Sequence, residues 1–355
     1  MRSLYIGVTL VSLLSGCNDD GIPADPVLRD YSSTFTPLPS ESIYPESNPF
    51  SVAKSELGEL LFWDPILSGD QNVACATCHH PDFGWADGRQ TSIGSDGIGL
   101  GPNRFGNQLT DMHSPTILNV AFTGLTVNTV TEDFESGGYF WDLRANTLEA
   151  QALQPILSDI EMRGFNVSES QIIEEVLTRL KSNPEYMQRF TDAFGGSDPV
   201  TIENLVKAIA TFERLVVSNQ TRFDAFLSGN TSVFTEAEII GLNKFIDGGC
   251  ARCHSGPMLA DNQIHEGERV VGEQIVRTPT MRNLTLTAPF MHDGSRLSLR
   301  DAIAAYEDRG DLQVTLGEGD FGDIERFLNT LDSTGFYRHI PDTVPSGLPV
   351  GGDIQ

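Results

Sequence analysis

Basic residues are scarce in this chain of 355 residues: 23 Lys and Arg stand against 49 Asp and Glu, a formal net charge of -26. So anionic a surface repels phosphate, which excludes nucleic acid and leaves basic proteins as the partners that charge favours. Long apolar runs are absent as well. The run from Leu4 to Leu14 is too short to span a bilayer, and no later run is longer, so a membrane-spanning helix is excluded. Cysteine is rarer still. Of five, Cys17 stands alone and the other four fall in two copies of one short pattern, leaving none for a structural disulfide. What is present is enough apolar material, 39% of residues, to build real cores, and at roughly 150 residues per domain the length suggests two of them.

The two copies are Cys75-Ala76-Thr77-Cys78-His79 and Cys250-Ala251-Arg252-Cys253-His254. Two thiols one turn apart can each add to a haem vinyl group while the adjacent His reaches the iron, so the pattern is the attachment signature of c-type haem. A four-cysteine zinc site or a thioredoxin-like pair would use the same thiols, but neither needs His directly after both pairs. Two covalently bound haems c are therefore the expected cofactors. Cys75 and Cys78 with His79 hold the first, and Cys250 and Cys253 with His254 the second. Export fits this chemistry. Arg2, the short apolar run and Leu14-Ser15-Gly16-Cys17 resemble a bacterial lipoprotein signal, with an ordinary secretory signal as the alternative. The resemblance implies that residues 1–16 are removed and that Cys17 carries lipid, anchoring the chain in the periplasm or cell envelope.

Residues 17–49, rich in Pro, Ser, Asp and Asn, read as a tether, and the folded body begins near 50. The body reads as mainly α. Helices are expected over 168–182, opening on the capping-box pattern Ser168-Glu169-Ser170-Gln171, over 201–216, and over 235–247, opening on Thr235-Glu236-Ala237-Glu238. The Gly- and Asn-rich stretch 82–140 predicts long loops around the first haem. With 175 residues between the motifs, each is assigned its own domain: 50–215 around the first haem and 216–340 around the second, with 341–355 as a tail.

Phe140-Trp141-Asp142, Leu148-Glu149-Ala150-Gln151-Ala152 and Ala288-Pro289-Phe290-Met291-His292-Asp293-Gly294, taken with the paired motifs, resemble the bacterial di-haem cytochrome c peroxidase and MauG family over roughly residues 50–335. The resemblance implies two cytochrome c-like domains, a peroxidase-type oxidoreductase acting on H2O2, and three site residues. Trp141 would lie between the haems, while Gln151 and Glu161 would line the peroxide pocket. It also implies an electron donor, a small cytochrome c or a cupredoxin, or else a protein substrate as for MauG. Dimers are common in the family. A non-catalytic di-haem electron carrier is the alternative from another class, and it needs both irons six-coordinate.

Two positions depart from the peroxidase pattern. Ser95 stands where members that need reductive activation carry a distal His, so the first haem is expected to be open; His80 and His113 are the nearest substitutes, and His80 adjoins the proximal ligand. Tyr306 stands where the second haem of the peroxidases takes a Met ligand, as in MauG. Ser298 and Asp301 suit a helix start there, and Leu299, Ala302, Ile303 and Tyr306 share a face. A phenolate ligand favours Fe(III) and higher states, whereas Met favours Fe(II). The family also holds a calcium ion between its domains. Thr287 and Pro289 match its two carbonyl positions, but His113 stands where the Asn ligand would, and imidazole suits Ca2+ poorly.

Overall fold

The structure, a computed structural model, describes residues 21–127, 138–265, 276–308, 316–333 and 335–355. The expectations for residues 1–16 and Cys17 lie outside this range. The fold is mainly α: among the described residues there are helices, short 3-10 turns and isolated bridges, and no strand.

Six helices build the first core: α1 (Val52–Trp63), the single turn α2 (Cys75–Cys78), α3 (Leu148–Leu157), α4 (Glu169–Ser182), α5 (Pro184–Phe194) and α6 (Ile202–Glu213). Four of these helices, α1, α3, α5 and α6, start where a side chain takes up an orphan amide. Ser51 accepts from Lys54 N, Thr147 from Ala150 N and Thr201 from Asn204 N. The capping box expected at Ser168 does not form, because its hydroxyl donates to the Gln171 side chain at 2.6 Å instead of receiving a backbone amide. The box at Thr235 does form and opens α8 (Glu236–Asp247). That helix, with α7 (Arg222–Leu227), α9 (Leu299–Asp308) and α10 (Glu318–Leu328), builds the second core.

One device recurs in both cores. A Cβ on Gly58 of α1 would stand 1.9 Å from the carbonyl oxygen of Ala208 on α6, and one on Gly241 of α8 would stand 2.0 Å from that of Asp323 on α10. Only glycine lets these backbones touch. Around the first contact lie Leu57, Leu61, Phe62, Leu205, Ile209 and Phe212; around the second lie Leu242, Phe245, Ile324, Phe327 and Leu328. Burying such a side chain contributes roughly 1.5–3 kcal/mol.

Two boundary expectations need correction. Residues 21–49, expected as a tether, lack regular structure but are packed down: Tyr31 and Phe35 enter the second core, and Leu38 packs with Phe122, Leu125 and Met258. The supposed tail 341–355, together with residues 335–340, crosses the other way. Phe336 and Val344 enter the first core, Trp85 Nε1 donates to Tyr337 O at 2.8 Å, and Gly351 N donates to Trp63 O at 2.7 Å. Both segments were misread because their apolar residues are few and their partners distant in sequence.

Candidate active site

The two Cys-x-x-Cys-His turns share a geometry. None of the four cysteines is in a disulfide. His79 Nδ1 lies 3.2 Å from the Trp85 carbonyl oxygen, and His254 Nδ1 lies 3.1 Å from that of Leu259. A proton on Nδ1 donated to a carbonyl leaves the Nε2 lone pair for a metal. Burial pushes both imidazoles down to about 4, so each is neutral at pH 7, the form that ligates iron. The first turn is also fastened from beneath: Thr77 Oγ1 accepts from Ala74 N at 2.9 Å and donates to Gly351 O at 2.8 Å.

A cavity of about 460 Å³ opens over the first turn, lined by Cys75, Cys78 and His79 and, across it, by Trp141, Gln151 and Glu161. The three residues named by the resemblance thus share one space with the first haem motif. Gln151 projects from α3, whose Pro155 cannot donate to the Gln151 carbonyl. Glu161 follows on a π-helical turn, Asp159–Arg163, with its amide capped by Ser158 Oγ at 3.3 Å. Arg163 does not pair with it; its guanidinium bonds the carbonyls of Leu157 and Val167, both at 2.8 Å. Burial raises the Glu161 carboxyl above its ordinary value, with Arg144 pulling the other way. Trp141 spans the seam between the domains: its Nε1 donates to His113 O at 2.8 Å, its carbonyl accepts from Arg277 N at 2.8 Å, and its ring meets His292 edge-on at 6.5 Å.

Ser95 is buried beside the Glu161 turn. Its amide donates to Ile160 O and its hydroxyl to Asp159 O, both at 3.2 Å, and a Cβ on neighbouring Gly94 would stand 1.8 Å from Ile160 O. This loop buttresses the turn that carries the carboxyl. His80 faces away, edge-on to Trp63 at 5.5 Å, with its Nδ1 accepting from Asp82 N. His113 lines the cavity, and its Nδ1 donates to Arg89 O at 2.8 Å. In the second domain Tyr306 is half-buried on α9, whose start is capped by Ser298, with Ala302 and Ile303 buried on the same helix. Thr287 is buried, and the Ala288–Pro289 bond is cis. Cys253, Asp261 and His265 also bring ligand atoms within 4.8 Å of one another, but Cys253 belongs to the second motif.

Sequence reasoning missed Glu213, which lines the same cavity from the end of α6, and Asn262 and Arg277, which reach it from the second domain. For Glu213 a signal existed. It sits four residues after Ile209 and eight after Leu205, a carboxylate on an apolar helical face.

Residues 52–232 match the family described as di-haem cytochrome c peroxidase. The chain is 31% identical over 319 residues to the methylamine utilization protein MauG of Methylorubrum extorquens, covering 82% of each. It is 30% identical over 331 residues to the cytochrome c551 peroxidase of Pseudomonas aeruginosa, covering 87% of each. Among solved structures, a MauG-like protein associated with microbial copper homeostasis superposes with a TM-score of 0.67 at 26% identity, covering 84% of this chain and 95% of that one. Two Cys-x-x-Cys-His turns outside any disulfide, each followed by a neutral imidazole pinned through Nδ1, are a donor set that fits two haems c. The chain belongs to the di-haem cytochrome c peroxidase family and is a peroxidase-type oxidoreductase.

Proposed function

We propose that the protein reduces H2O2 in the cavity over His79, with electrons relayed from the second haem motif past Trp141. The observation that carries this reading is the single cavity shared by His79, Gln151 and a half-buried carboxyl, Glu161. Haem, when bound, supplies the reducible iron at which the O–O bond is cleaved. The rest is protein chemistry. The Gln151 amide orients peroxide, and Glu161 takes a proton from one oxygen and delivers it to the other, so that the departing oxygen leaves as water. Its desolvation makes it a better base than an exposed carboxylate. Trp141, held at both edges of the seam, supplies an aromatic bridge. A small cytochrome c or cupredoxin would refill the second site.

A second reading, oxidation of residues on a partner protein, is favoured by Ser95, whose hydroxyl is engaged by Asp159 O and which supplies no imidazole to the first haem. Tyr306 as a ligand of the second haem would strengthen it. A non-catalytic carrier is disfavoured for the same reason. Anchoring through Cys17 in the cell envelope, a Ca2+ ion near Thr287 and Pro289, and a homodimer complete the proposal; no described helix is long and apolar enough to cross a membrane. The test is EPR and optical spectroscopy of the as-isolated diferric protein and of Tyr306→Met, before and after one equivalent of H2O2. A high-spin signal with a Tyr306-dependent low-spin signal supports the open site, and a long-lived two-equivalent oxidised state then favours protein oxidation. Two low-spin haems that ignore peroxide overturn it.

A further inference from the structure

Among the described residues four carboxyls line the cavity; the peroxide chemistry uses Glu161, Asp111 and Asp142 are exposed, and Glu213 is the buried one left unused. It is 5% exposed, its Oε2 has no hydrogen-bond partner among the described residues, and it closes α6 one turn after Ile209, which lines the same wall. Its neighbours do not neutralise it. Arg214 forks onto Glu149 of α3 at 2.6 and 3.1 Å, and Lys54 of α1 is held by Asn48 and the Pro49 carbonyl. Cys75 on α2 lies within its field, and Glu161 and His79 face the same space. Burial pushes its carboxyl up to about 8, against the pull of Arg214 and with the help of Glu149. Below that pH it is a neutral acid beside the Cys75 attachment point of the haem. A buried carboxyl with an unmade bond is costly unless something in the cavity repays it.

We propose that Glu213 couples a proton to the redox state of the first haem. With the iron ferrous, Glu213 holds its proton; when the iron loses one electron to an external acceptor and becomes ferric, the added positive charge favours the carboxylate, and Glu213 releases one proton to water. Reduction reverses both transfers, so each electron that refills the site brings a proton with it. This rests only on a haem held by Cys75, Cys78 and His79, and not on peroxide as the oxidant.

The test is a potentiometric titration of the haem-loaded protein from pH 6 to 9, each haem followed by its optical and EPR signature. In wild type the first-haem potential should fall with rising pH over part of this range. Glu213→Gln, which keeps a neutral amide in place of the acid, should lose that slope and leave the second haem's behaviour unchanged. Equal slopes in wild type and Glu213→Gln, or a flat wild-type curve, overturn the proposal. Should Glu213→Gln take up no haem, Glu213→Asp retracts the carboxyl by one methylene and should move the pH at which the slope begins; an unmoved slope overturns it. Turnover is read in neither arm. A protein that shows the slope yet never reduces peroxide keeps this inference and loses the proposed function, and the converse loses this inference alone.

Discussion

Gly94→Ala is a single-methyl test of how firmly the Glu161 turn must be held. The added Cβ would stand 1.8 Å from Ile160 O and 2.5 Å from Glu161 O, whereas ordinary contact begins near 3.4 Å. Both obstacles are backbone atoms, so no rotamer change relieves the clash, and the loop and the turn must part by about 1.6 Å. The hydrogen bonds from Ser95 to Ile160 O and Asp159 O would stretch with them. A misplacement of about 1 Å at a reacting group can cost on the order of 100-fold in rate. The substitution lies outside the haem-binding turn and should leave haem content and the optical spectrum as in wild type. Steady-state turnover of H2O2 with a reduced donor protein should then fall about 100-fold, mainly in kcat. Wild-type turnover in a haem-replete Gly94→Ala protein would refute the idea that this loop sets the position of Glu161.

Glu161→Gln keeps the shape of the side chain and removes its proton-transfer ability, and peroxide turnover should drop by about 10²- to 10⁴-fold with the ferric spectrum unchanged. Trp141→Phe deletes the Nε1 donor to His113 O; thermal or urea unfolding should register a loss of about 1–3 kcal/mol for the buried carbonyl left without its donor, and stopped-flow re-reduction of the first haem by the second should slow. Asp224→Asn strands the guanidinium of Arg282, which is fully buried and bonded to both Asp224 oxygens at 2.7 and 2.8 Å, so urea denaturation should show a loss of about 3–5 kcal/mol. Burial alone would raise Asp224, but its bonds to Arg282 prevail and hold it below its ordinary value of 3.8. The unfolded chain therefore takes up this proton at a higher pH than the native one, and the pair's stabilisation, complete at neutral pH, is lost as pH falls through and below the ordinary value. The acid limb of wild-type stability should be steeper than that of Asp224→Asn.

Motif chemistry was legible because its spacing is local: Cys75 to His79 and Cys250 to His254 each occupy one turn, and α4, α6 and α8 follow from their own periodicity. Trp141, Gln151 and Glu161 came from the resemblance, and the structure lines one cavity with all three. What escaped were pairings across long stretches of chain. The amide of Leu38 meets Asp224, and Thr77 meets Gly351, at separations no local pattern encodes. Tyr31 and Phe35 were the faint signal that the Pro- and Ser-rich stretch is packed. Ser168 shows the opposite limit, since the right residues stood at the right spacing and the hydroxyl chose a side chain over an amide.

The two crossing segments change what it means to divide this molecule. A nick between Arg214 and Thr221 would cut one of the covalent passages between the cores, yet the upstream fragment would still hold Tyr31 and Phe35 inside the downstream core. The downstream fragment would keep Phe336 and Val344 inside the upstream one, with Thr77 still bonded to Gly351. Such fragments exchange arms as domain-swapped partners do. Neither core is a contiguous stretch of chain, so neither haem motif can be excised with its whole surroundings, and three separate passages, not a single hinge, set how the two motifs face each other.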